Sequence, residues 1–182
     1  MNLSVEEQKN KIRQLHKKIR AALDIKNLSK IIIGKVVDLD EFKKAENIFC
    51  YISFGSETDT SEILSITGKN IFVPKISDNE MYMTKYTPQH IKYGKFGILE
   101  PEECCPVKPS VNDVIIVPAL ACDTDFHRIG YGKGFYDKYM KDSKAVKILP
   151  VPSKLIISRV PSGGFDVPVD IIVTEKNIYR RF

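Results

Sequence analysis

Short apolar runs and amphipathic segments alternate along the chain, which is the pattern of a domain that mixes strands and helices. The most apolar run, VNDVIIVPALAC at residues 111–122, is typical of a central parallel strand that is covered on both faces. Residues 81–86 alternate between apolar and polar positions instead, as a half-buried strand does. Strands are predicted at residues 45–54, 70–76, 81–86, 111–122, 154–158 and 170–175.

The amino-terminal segment predicts an amphipathic helix. Ser4 followed by Glu7 is a capping-box pattern, in which each side chain can bond the backbone N–H of the other residue. Apolar residues then recur at spacings of three or four, which predicts a stripe that faces the core. The stripe comprises Ile12, Leu15, Ile19 and Leu23.

The same helix carries much of the positive charge of the chain. Lys9 and Arg13 stand four residues apart, so they project from one face, one turn from each other. We expect Lys11, Lys17 and Lys18 to form a solvated face. A nucleic-acid-binding arm is the alternative, but no aromatic residues for base stacking are interleaved with these cations. We therefore expect no nucleic-acid partner.

Two further helices are predicted between the strands. Residues 58–69 form a short helix that ends at Gly68, and GFYDKYMKD at residues 134–142 forms another. Strands separated by helices predict an α/β fold, a three-layer α/β/α arrangement with a mostly parallel central sheet. Residues 1–182 contain no internal repeat or low-complexity linker, so we expect a single domain.

Composition adds the class of protein to this picture. Of the 182 residues, 43% are hydrophobic and 28% are charged, as in a typical globular domain. The longest apolar runs stop at about eight residues, well below the ~18 that a membrane span requires. The amino terminus has no apolar core of a secretory signal. We therefore expect a cytoplasmic protein with no membrane partner.

Net charge and cysteine usage narrow the chemistry. A formal charge of +5 favours anionic partners. The three histidines are scattered, and the cysteines lack the Cys-x-x-Cys spacing of zinc and redox sites. We expect reduced thiols and no metal held through nitrogen or sulfur. The four cysteines are Cys50, Cys104, Cys105 and Cys122.

The densest chemistry in the sequence is RIGYGKGFYD, at residues 128–137. Its three glycines let the backbone approach a ligand and leave amide hydrogens free to point at phosphate oxygens, while Arg128 and Lys133 can add full charges. The stretch is neither a Walker A loop nor the dinucleotide fingerprint, and its glycine spacing alone leaves a structural turn open. A ring at Tyr136 and an acid at Asp137 favour nucleotide binding.

Taken with the rest of the chain, this stretch resembles the signature of the 5-formyltetrahydrofolate cyclo-ligase family, whose hallmark is an Arg-Leu-Gly-x-Gly-x-Gly-Tyr-Tyr-Asp loop. Phe126 is a departure, since it stands where the family usually has glycine. Four other segments resemble family segments in the family order, and the matches cover nearly the whole chain. They are KNKIR (9–13), YISFGSETDT (51–60), KFGILEP (95–101) and FDVPVDIIVTE (165–175).

The resemblance implies an ATP- and Mg²⁺-dependent ring closure on a cyclo-ligase/CoA-transferase-like fold. In the family, ATP phosphorylates the formyl oxygen of 5-formyltetrahydrofolate, a neighbouring nitrogen attacks the activated carbon, and phosphate leaves to give 5,10-methenyltetrahydrofolate. Such chemistry needs charge neutralisation and alignment more than a side-chain nucleophile. The implied partners are small molecules, ATP and a reduced formylfolate, and we expect a monomer.

The resemblance also assigns residues to this chemistry. It makes Arg128 and Lys133 the catalytic charges, and it matches Asp137 and Asp170 to the magnesium carboxylates of the family. The substrate positions are Arg13, Ile52, Glu57 and Tyr136. The ATP positions are Lys9, Asn10, Lys11, Ile12, Arg13, Arg128, Ile129, Gly130, Tyr131, Gly132, Lys133, Gly134, Phe135 and Tyr136.

Two other classes of protein stay open on the residues alone. Sugar-phosphate isomerases and CoA transferases share this general architecture, but they need a carboxylate or lysine placed for proton transfer or acyl attack, and no ATP. A nucleotide-binding module without turnover is the second class, because phosphate binding does not by itself prove chemistry.

Overall fold

A seven-stranded mixed sheet forms the centre of the computed structural model, which describes residues 3–94 and 97–181. The helices are α1 (Val5–Ala21), α2 (Ile25–Asp38), α3 (Asp40–Lys44), α4 (Ser61–Leu64) and α5 (Phe135–Met140). The strands are β1 (Asn47–Phe49), β2 (Asn70–Ser77), β3 (Glu80–Lys85), β4 (Ile91–Tyr93), β5 (Leu99–Pro101), β6 (Val114–Ile116), β7 (Ala121–Cys122), β8 (Arg128–Ile129), β9 (Val146–Pro150), β10 (Ile171–Val173) and β11 (Ile178–Arg180).

The strand order of the main sheet is β11-β10-β9-β6-β1-β2-β3. The inner strands β10, β9, β6, β1 and β2 run parallel to one another, and β3 and β11 pair antiparallel at the two edges. The strand pairs β4–β5 and β7–β8 form two small ribbons outside this sheet. The predicted α/β fold with a mostly parallel sheet is confirmed.

Successive residues of the inner strands enter opposite layers of the core. In β1, Ile48 packs in a cluster with Ile32 and Val36 of α2, whereas Phe49 packs in a second cluster with Met140 of α5. All five side chains are fully buried. Burial of such a side chain contributes about 1.5–3 kcal/mol, so both faces of the sheet stabilise the fold. Double-sided burial also explains why the inner strands read as continuous apolar runs.

The predicted strands at residues 70–76, 81–86 and 170–175 are confirmed as β2, β3 and β10. The run at residues 111–122 is divided instead: β6 ends at Ile116, and the chain passes Pro118 before it re-forms a strand as β7. Proline has no N–H to donate to a sheet, so the apolar run cannot continue as one ladder.

Two other strand predictions need correction. The predicted strand at residues 45–54 is reduced to β1, and the predicted strand at 154–158 is wrong. A 3-10 turn, Ser153–Leu155, follows Pro152, and a single bridge joins Ile156 to the main chain of Cys122. The apolar residues of this segment are buried as a turn rather than as a strand, a difference that periodicity over five residues does not resolve.

The predicted helix at residues 58–69 is also shorter than expected, since it is limited to α4. In contrast, α2 and α3 and the buried strand β9 were not predicted. The helix predicted after the glycine loop is confirmed as α5.

The amino-terminal helix is confirmed, with its capping box. The N–H of Glu7 donates to Ser4 Oγ at 3.3 Å, and the N–H of Ser4 donates to Glu7 Oε2 at 2.7 Å. The apolar stripe is wrong in part, because Leu15 is 56% exposed while His16 and Arg20 are buried. Arg20 bonds Ser56, Ala119 and Tyr131, whereas the buried Nδ1 of His16 has no hydrogen-bond partner among the described residues. Lys11, Lys17 and Lys18 are exposed, as predicted.

Phe126 adopts a backbone conformation that favours glycine. Its φ of 68° lies in the left-handed region, so the turn between β7 and β8 keeps a glycine-like path. The Asp123 carboxylate holds this turn by accepting hydrogen bonds from the N–H groups of Asp125, His127 and Val160, at 3.1, 2.9 and 2.7 Å. These bonds offset the cost of a bulky residue at this φ.

The cysteines are free thiols, as predicted; Cys50 and Cys122 are buried, and Cys104 and Cys105 are exposed. None of the helices in residues 3–94 and 97–181 combines the length and apolarity needed to cross a bilayer.

Candidate active site

A cleft of about 420 Å³ opens where β1 and β6 end, and residues of the glycine loop and of α1 line it. Ligands of open α/β sheets bind beyond the carboxyl ends of the strands, so this is the position expected of a site. Most of the predicted site residues line it. They are Lys9, Arg13, Ile52, Glu57, Arg128, Ile129, Gly130, Tyr131, Gly132, Lys133, Gly134, Phe135, Tyr136 and Asp137.

Three predicted nucleotide residues on α1 lie outside this lining. Asn10 supports the cleft indirectly, because its Oδ1 accepts a hydrogen bond from Arg13 Nη1 at 2.6 Å. Lys11 is exposed to solvent, and Ile12 packs against the cluster that contains Ile129. Since only every third or fourth residue of a helix faces the same way, a run of five cannot all reach one ligand through side chains.

The structure does not bring Asp170 to the cleft. Asp170 precedes β10, and its Oδ2 accepts a hydrogen bond from the backbone N–H of Lys147 at 2.8 Å and lies 3.4 Å from Lys147 Nζ. The amino ends of parallel strands lie at the sheet edge opposite the cleft, which explains this position. Asp166, four residues earlier, lines the cleft instead.

A second cavity, of about 490 Å³, lies beside the amino ends of β1 and β6, and none of the predicted site residues lines it.

The glycine loop bends tightly against α1. Gly132 and Gly134 have φ of 93° and 68°, in the region that glycine prefers, whereas Gly130 does not have a positive φ. The carbonyl of Gly130 accepts a hydrogen bond from Arg13 Nε at 3.0 Å. A Cβ on Gly132 would lie 3.2 Å from Arg13 Cζ, so a larger residue would displace Arg13. The loop and the basic helix therefore form one wall of the cleft.

Arg128 and Asp137 form a partly buried ion pair at the base of this wall. Arg128 is 7% exposed, and its Nη2 lies 3.1 Å from Asp137 Oδ1. Both partners also bond the backbone of Val167. Arg128 Nη1 donates to the Val167 carbonyl at 2.7 Å, and the Val167 N–H donates to Asp137 Oδ1 at 3.0 Å. Burial lowers the pKa of Arg128, and the Asp137 charge opposes that shift. Guanidinium keeps its charge in proteins, so the cleft retains this cation.

Two buried polar atoms of the cleft residues have no hydrogen-bond partner within residues 3–94 and 97–181. They are Arg128 Nε and Tyr136 Oη. Most buried polar groups in folded proteins are hydrogen-bonded, because an unpaired one costs about 1–3 kcal/mol. A ligand that carries acceptors into the cleft would satisfy these atoms.

Lys9 and Asp166 form a second ion pair in the lining of the cleft. Lys9 Nζ lies 2.7 and 2.6 Å from the two carboxylate oxygens, and Asp166 Oδ2 also accepts a hydrogen bond from the N–H of Gly163 at 2.6 Å. Burial alone would raise the pKa of Asp166, but the bonds from Lys9 and Gly163 lower it overall. An anionic ligand that reaches Lys9 must therefore compete with this carboxylate.

Glu57 is connected to the glycine loop through a chain of hydrogen bonds. Its Oε1 accepts from Tyr131 Oη at 2.5 Å, and its Oε2 accepts from the N–H of Phe54 at 2.8 Å. Arg20 Nη2 donates to Tyr131 Oη at 2.9 Å. Burial raises the pKa of Glu57, although these hydrogen bonds and the Arg20 charge oppose the rise. Each oxygen of the Glu57 carboxylate therefore accepts a hydrogen bond from a neighbouring donor.

Two residues of this site were missed at the level of sequence, Arg20 and Asp166. Arg20 lies seven residues after Arg13, and that spacing places both on one face of α1, but the apolar stripe concealed the signal. Asp166 is the first acid of the segment FDVPVD, whereas the resemblance assigns the second acid, Asp170, to magnesium.

The half of the cleft beyond Glu57 is apolar, except for a glutamate that pairs with lysine. Glu100 Oε1 lies 3.0 Å from Lys75 Nζ. Lys95 and Phe96, which begin the segment KFGILEP, lie outside the described residues. The apolar lining comprises Ile52, Pro74, Ile76, Met81, Ile98 and Leu99. The cleft thus offers a cationic half and an apolar half.

Comparisons with known proteins agree with this geometry. A model of the 5-formyltetrahydrofolate cyclo-ligase family matches residues 5–175. A probable 5-formyltetrahydrofolate cyclo-ligase of Schizosaccharomyces pombe is 30% identical, over 82% of this chain and 84% of that protein. A 5-formyltetrahydrofolate cyclo-ligase of Haemophilus influenzae is 28% identical, over 92% of this chain and 98% of that protein.

A solved structure is similar over nearly the whole fold. The NMR structure of a 5,10-methenyltetrahydrofolate synthetase from Aquifex aeolicus superposes with a TM-score of 0.82 at 34% sequence identity. The match covers 94% of this chain and 92% of that one. The architecture around the cleft is therefore shared with a protein whose sequence is also related.

Proposed function

We propose that this chain, which belongs to the 5-formyltetrahydrofolate cyclo-ligase family, binds ATP in the cationic half of its cleft and the formylfolate in the apolar half. The chain is an enzyme, an ATP-dependent cyclo-ligase of folate one-carbon metabolism. The observation that carries the assignment of the two halves is the composition of the cleft lining, which combines four cationic side chains from α1 and the glycine loop with a set of apolar side chains.

The cationic half suits a triphosphate. Arg128 and Lys133 come from the glycine loop, and Lys9 and Arg13 come from α1, which packs against that loop. Arginine binds phosphate oxygens through a planar fork, and lysine binds them as a point charge. We infer that the phosphates take the place of the Asp166 carboxylate on Lys9, since both are anionic and Lys9 has one ammonium to share.

Asp137 is the residue that best fits a magnesium ion at these phosphates. Its Oδ1 is bonded to Arg128 and Val167, while its Oδ2 has no hydrogen-bond partner in the described part of the chain. Among the described residues, no group of three or more His, Cys, Asp or Glu side chains could hold a metal by itself. That arrangement agrees with Mg²⁺, which is held by one or two carboxylates together with phosphates and water. When bound, Mg²⁺ would supply charge neutralisation at the phosphates.

The apolar half suits the folate. We infer that Glu57 presents acceptor oxygens to the donor edge of a pterin, and Ile52, three residues after β1, also lines the cleft. Tyr136 lines the cleft and its Oη has no hydrogen-bond partner in the described part of the chain, so we infer that it donates to the substrate or to the transferred phosphoryl group. Apolar side chains beyond Glu57 offer contact to the rest of the substrate.

The reaction then needs alignment and charge more than a nucleophilic side chain. The formyl oxygen attacks the γ-phosphorus, and the bond from that phosphorus to the ADP oxygen breaks. N10 attacks the formyl carbon and loses its proton, and the carbon–oxygen bond breaks to release phosphate and leave the methenyl bridge. Arg128 and Lys133 stabilise the negative charge that develops on the phosphoryl oxygens in both steps.

The test is an absorbance assay with the full chain, Mg²⁺, ATP and 5-formyltetrahydrofolate. We expect the methenyl chromophore to form only when ATP is present, with one ADP and one phosphate released per turnover. A nucleotide-binding module would bind ATP without turnover, and an isomerase or CoA transferase would need no ATP. A folded protein that gives no ATP-dependent rise in absorbance would exclude the proposal.

We also propose that residues 1–182 act as one domain, as a monomer, with small molecules as partners. Light scattering of the purified chain tests the monomer. A cytoplasmic location and the absence of nucleic-acid binding stay predictions of the sequence.

A further inference from the structure

Arg20 joins three segments that build the cleft, although it does not line the cleft itself. Its Nε donates to Ser56 Oγ at 3.0 Å, its Nη1 to the carbonyl of Ala119 at 3.4 Å, and its Nη2 to Tyr131 Oη at 2.9 Å. Arg20 is 6% exposed, and its guanidinium carbon lies 5.7 Å from the centre of the Tyr131 ring. One side chain of α1 therefore contacts the loop after β1, the segment after β6 and the glycine loop.

The hydrogen bonds in this cluster have a fixed direction. An arginine can only donate, and a tyrosine hydroxyl carries one hydrogen. Because Tyr131 Oη accepts from Arg20, its own hydrogen is directed to Glu57 Oε1. The N–H of Phe54 donates to the second oxygen of Glu57. Both oxygens of Glu57 thus receive a hydrogen bond, which favours the ionised carboxylate.

Burial acts in the opposite direction on Glu57. It raises the pKa of this carboxyl group, while the bonds from Tyr131 and Phe54 and the charge of Arg20 lower it. Four other titratable groups interact with Glu57: Cys50 and Tyr51, which follow β1, Tyr131 on the glycine loop and Tyr136 on α5. These four are neutral at physiological pH, so the positive charge that favours ionised Glu57 comes from Arg20.

We propose that Arg20 is a positioning residue that fixes Tyr131 as a donor to Glu57, so that Glu57 presents an ionised acceptor to the pterin. The inference rests on the proposed function, since it assigns the acceptor at Glu57 to the folate.

The test compares Arg20→Met with Lys17→Met, which removes an equal charge from an exposed position of the same helix. Calorimetry on the full chain gives the Kd of 5-formyltetrahydrofolate and of ATP separately. We expect Arg20→Met to weaken folate binding about tenfold or more, as expected when a hydrogen bond to a charged group is lost. ATP binding should change much less, and Lys17→Met should change neither.

Double substitution shows whether Arg20 acts through Tyr131. Tyr131→Phe removes the hydroxyl that connects Arg20 to Glu57, so it should weaken folate binding by itself. Residues that act in one hydrogen-bond network are not additive. Adding Arg20→Met to Tyr131→Phe should therefore cause little further loss of folate affinity, whereas independent effects would multiply.

The pH dependence of folate binding distinguishes positioning from a structural role. Loss of Arg20 or of the Tyr131 hydroxyl favours the protonated form of Glu57, so the fall in folate affinity on acidification should begin at a higher pH. Arg20→Lys, which keeps the charge, should restore part of that shift. If Arg20→Met does not fold, Arg20→Lys and Tyr131→Phe still test the positioning role of Arg20.

Two results would overturn the inference: an unchanged acid limb in the variants, or an equal loss of ATP and folate affinity. A wild-type chain that binds no folate and shows no ATP-dependent turnover would instead reject the proposed function. The two failures are therefore separable.

Discussion

The guanidinium of Arg128 lies 3.1 Å from the carboxylate of Asp137, so the cation assigned to phosphate and the acid assigned to magnesium are paired with each other. The pair connects β8 to the first turn of α5, and both members bond Val167. Arg128 is therefore part of the fold as well as of the site, and substitutions there have two consequences that must be measured separately.

Arg128→Ala should lower both stability and turnover. It leaves Asp137 without its cation, and breaking a buried pair in this way costs about 3 kcal/mol, less here because Asp137 is 26% exposed in its side chain. The double variant Arg128→Ala/Asp137→Ala should regain part of the free energy of unfolding, measured with urea, and none of the turnover. Full turnover in the folded fraction of Arg128→Ala would contradict the assignment.

Lys133→Ala should affect the ligand alone. Lys133 is exposed and lines the cleft, so its removal should weaken ATP binding about tenfold and leave the melting temperature unchanged. Lys138→Ala, at an exposed position of α5 outside the cleft, is the matched control and should bind ATP normally. Equal ATP affinity in the two variants would remove Lys133 from the phosphate site.

The two acids predicted to hold magnesium should behave differently. Asp137→Asn weakens a hard-cation ligand in the cleft, so it should raise the Mg²⁺ concentration needed for half-maximal turnover. Asp170→Asn removes a charge that pairs with Lys147 at the other edge of the sheet, so it should lower stability and leave the Mg²⁺ requirement as it was. A raised requirement in Asp170→Asn alone would reverse this assignment.

Glu57→Gln should separate stability from binding. Burial raises the pKa of Glu57, so the folded protein favours the protonated carboxyl group. Protonated Glu57 therefore stabilises the fold at low pH, and this stabilisation is lost as the pH rises through the pKa of the folded state. Glutamine is neutral, but its one acceptor oxygen can replace only one of the two carboxylate oxygens that accept from Tyr131 and Phe54. Loss of that hydrogen bond lowers the melting temperature at every pH, whereas loss of the buried charge raises it only where Glu57 is ionised. The melting temperature of the variant relative to wild type should therefore rise with pH, and the variant should bind folate more weakly. A relative melting temperature that falls as the pH rises would show that ionised Glu57 stabilises the fold.

Much of the sheet could be predicted because its inner strands are buried on two faces. Residues 70–76 and 170–175 carry that signal, and both are strands. The segment at residues 154–158 carries a similar run but lies in a turn, since Pro152 and the bridge to Cys122 place it outside the sheet. Local periodicity records which side chains are buried and not which backbone pairing buries them.

The site could be predicted where the chemistry is local. The glycine loop, Lys9 and Arg13 lie together as expected, because loop and helix spacing determine their directions. The choice between Asp166 and Asp170 depends instead on which edge of the sheet each acid reaches, and the role of Arg20 depends on contacts with three distant segments. The spacing of residues along the chain predicts neither the sheet edge that each acid reaches nor the contacts of Arg20.

The pair formed by Lys9 and Asp166 spans 157 positions of the chain. On the ribosome, the amino-terminal wall of the cleft emerges long before the residue that closes it, and domains fold as units as synthesis proceeds. Until Asp166 has emerged, Lys9 has no carboxylate partner from the carboxyl-terminal segment. The segment after Asp166 also supplies β10 and β11, so the sheet that carries the cleft is complete only at the end of synthesis. A chain that stops before Asp166 should therefore gain little protection from nucleotide against proteases.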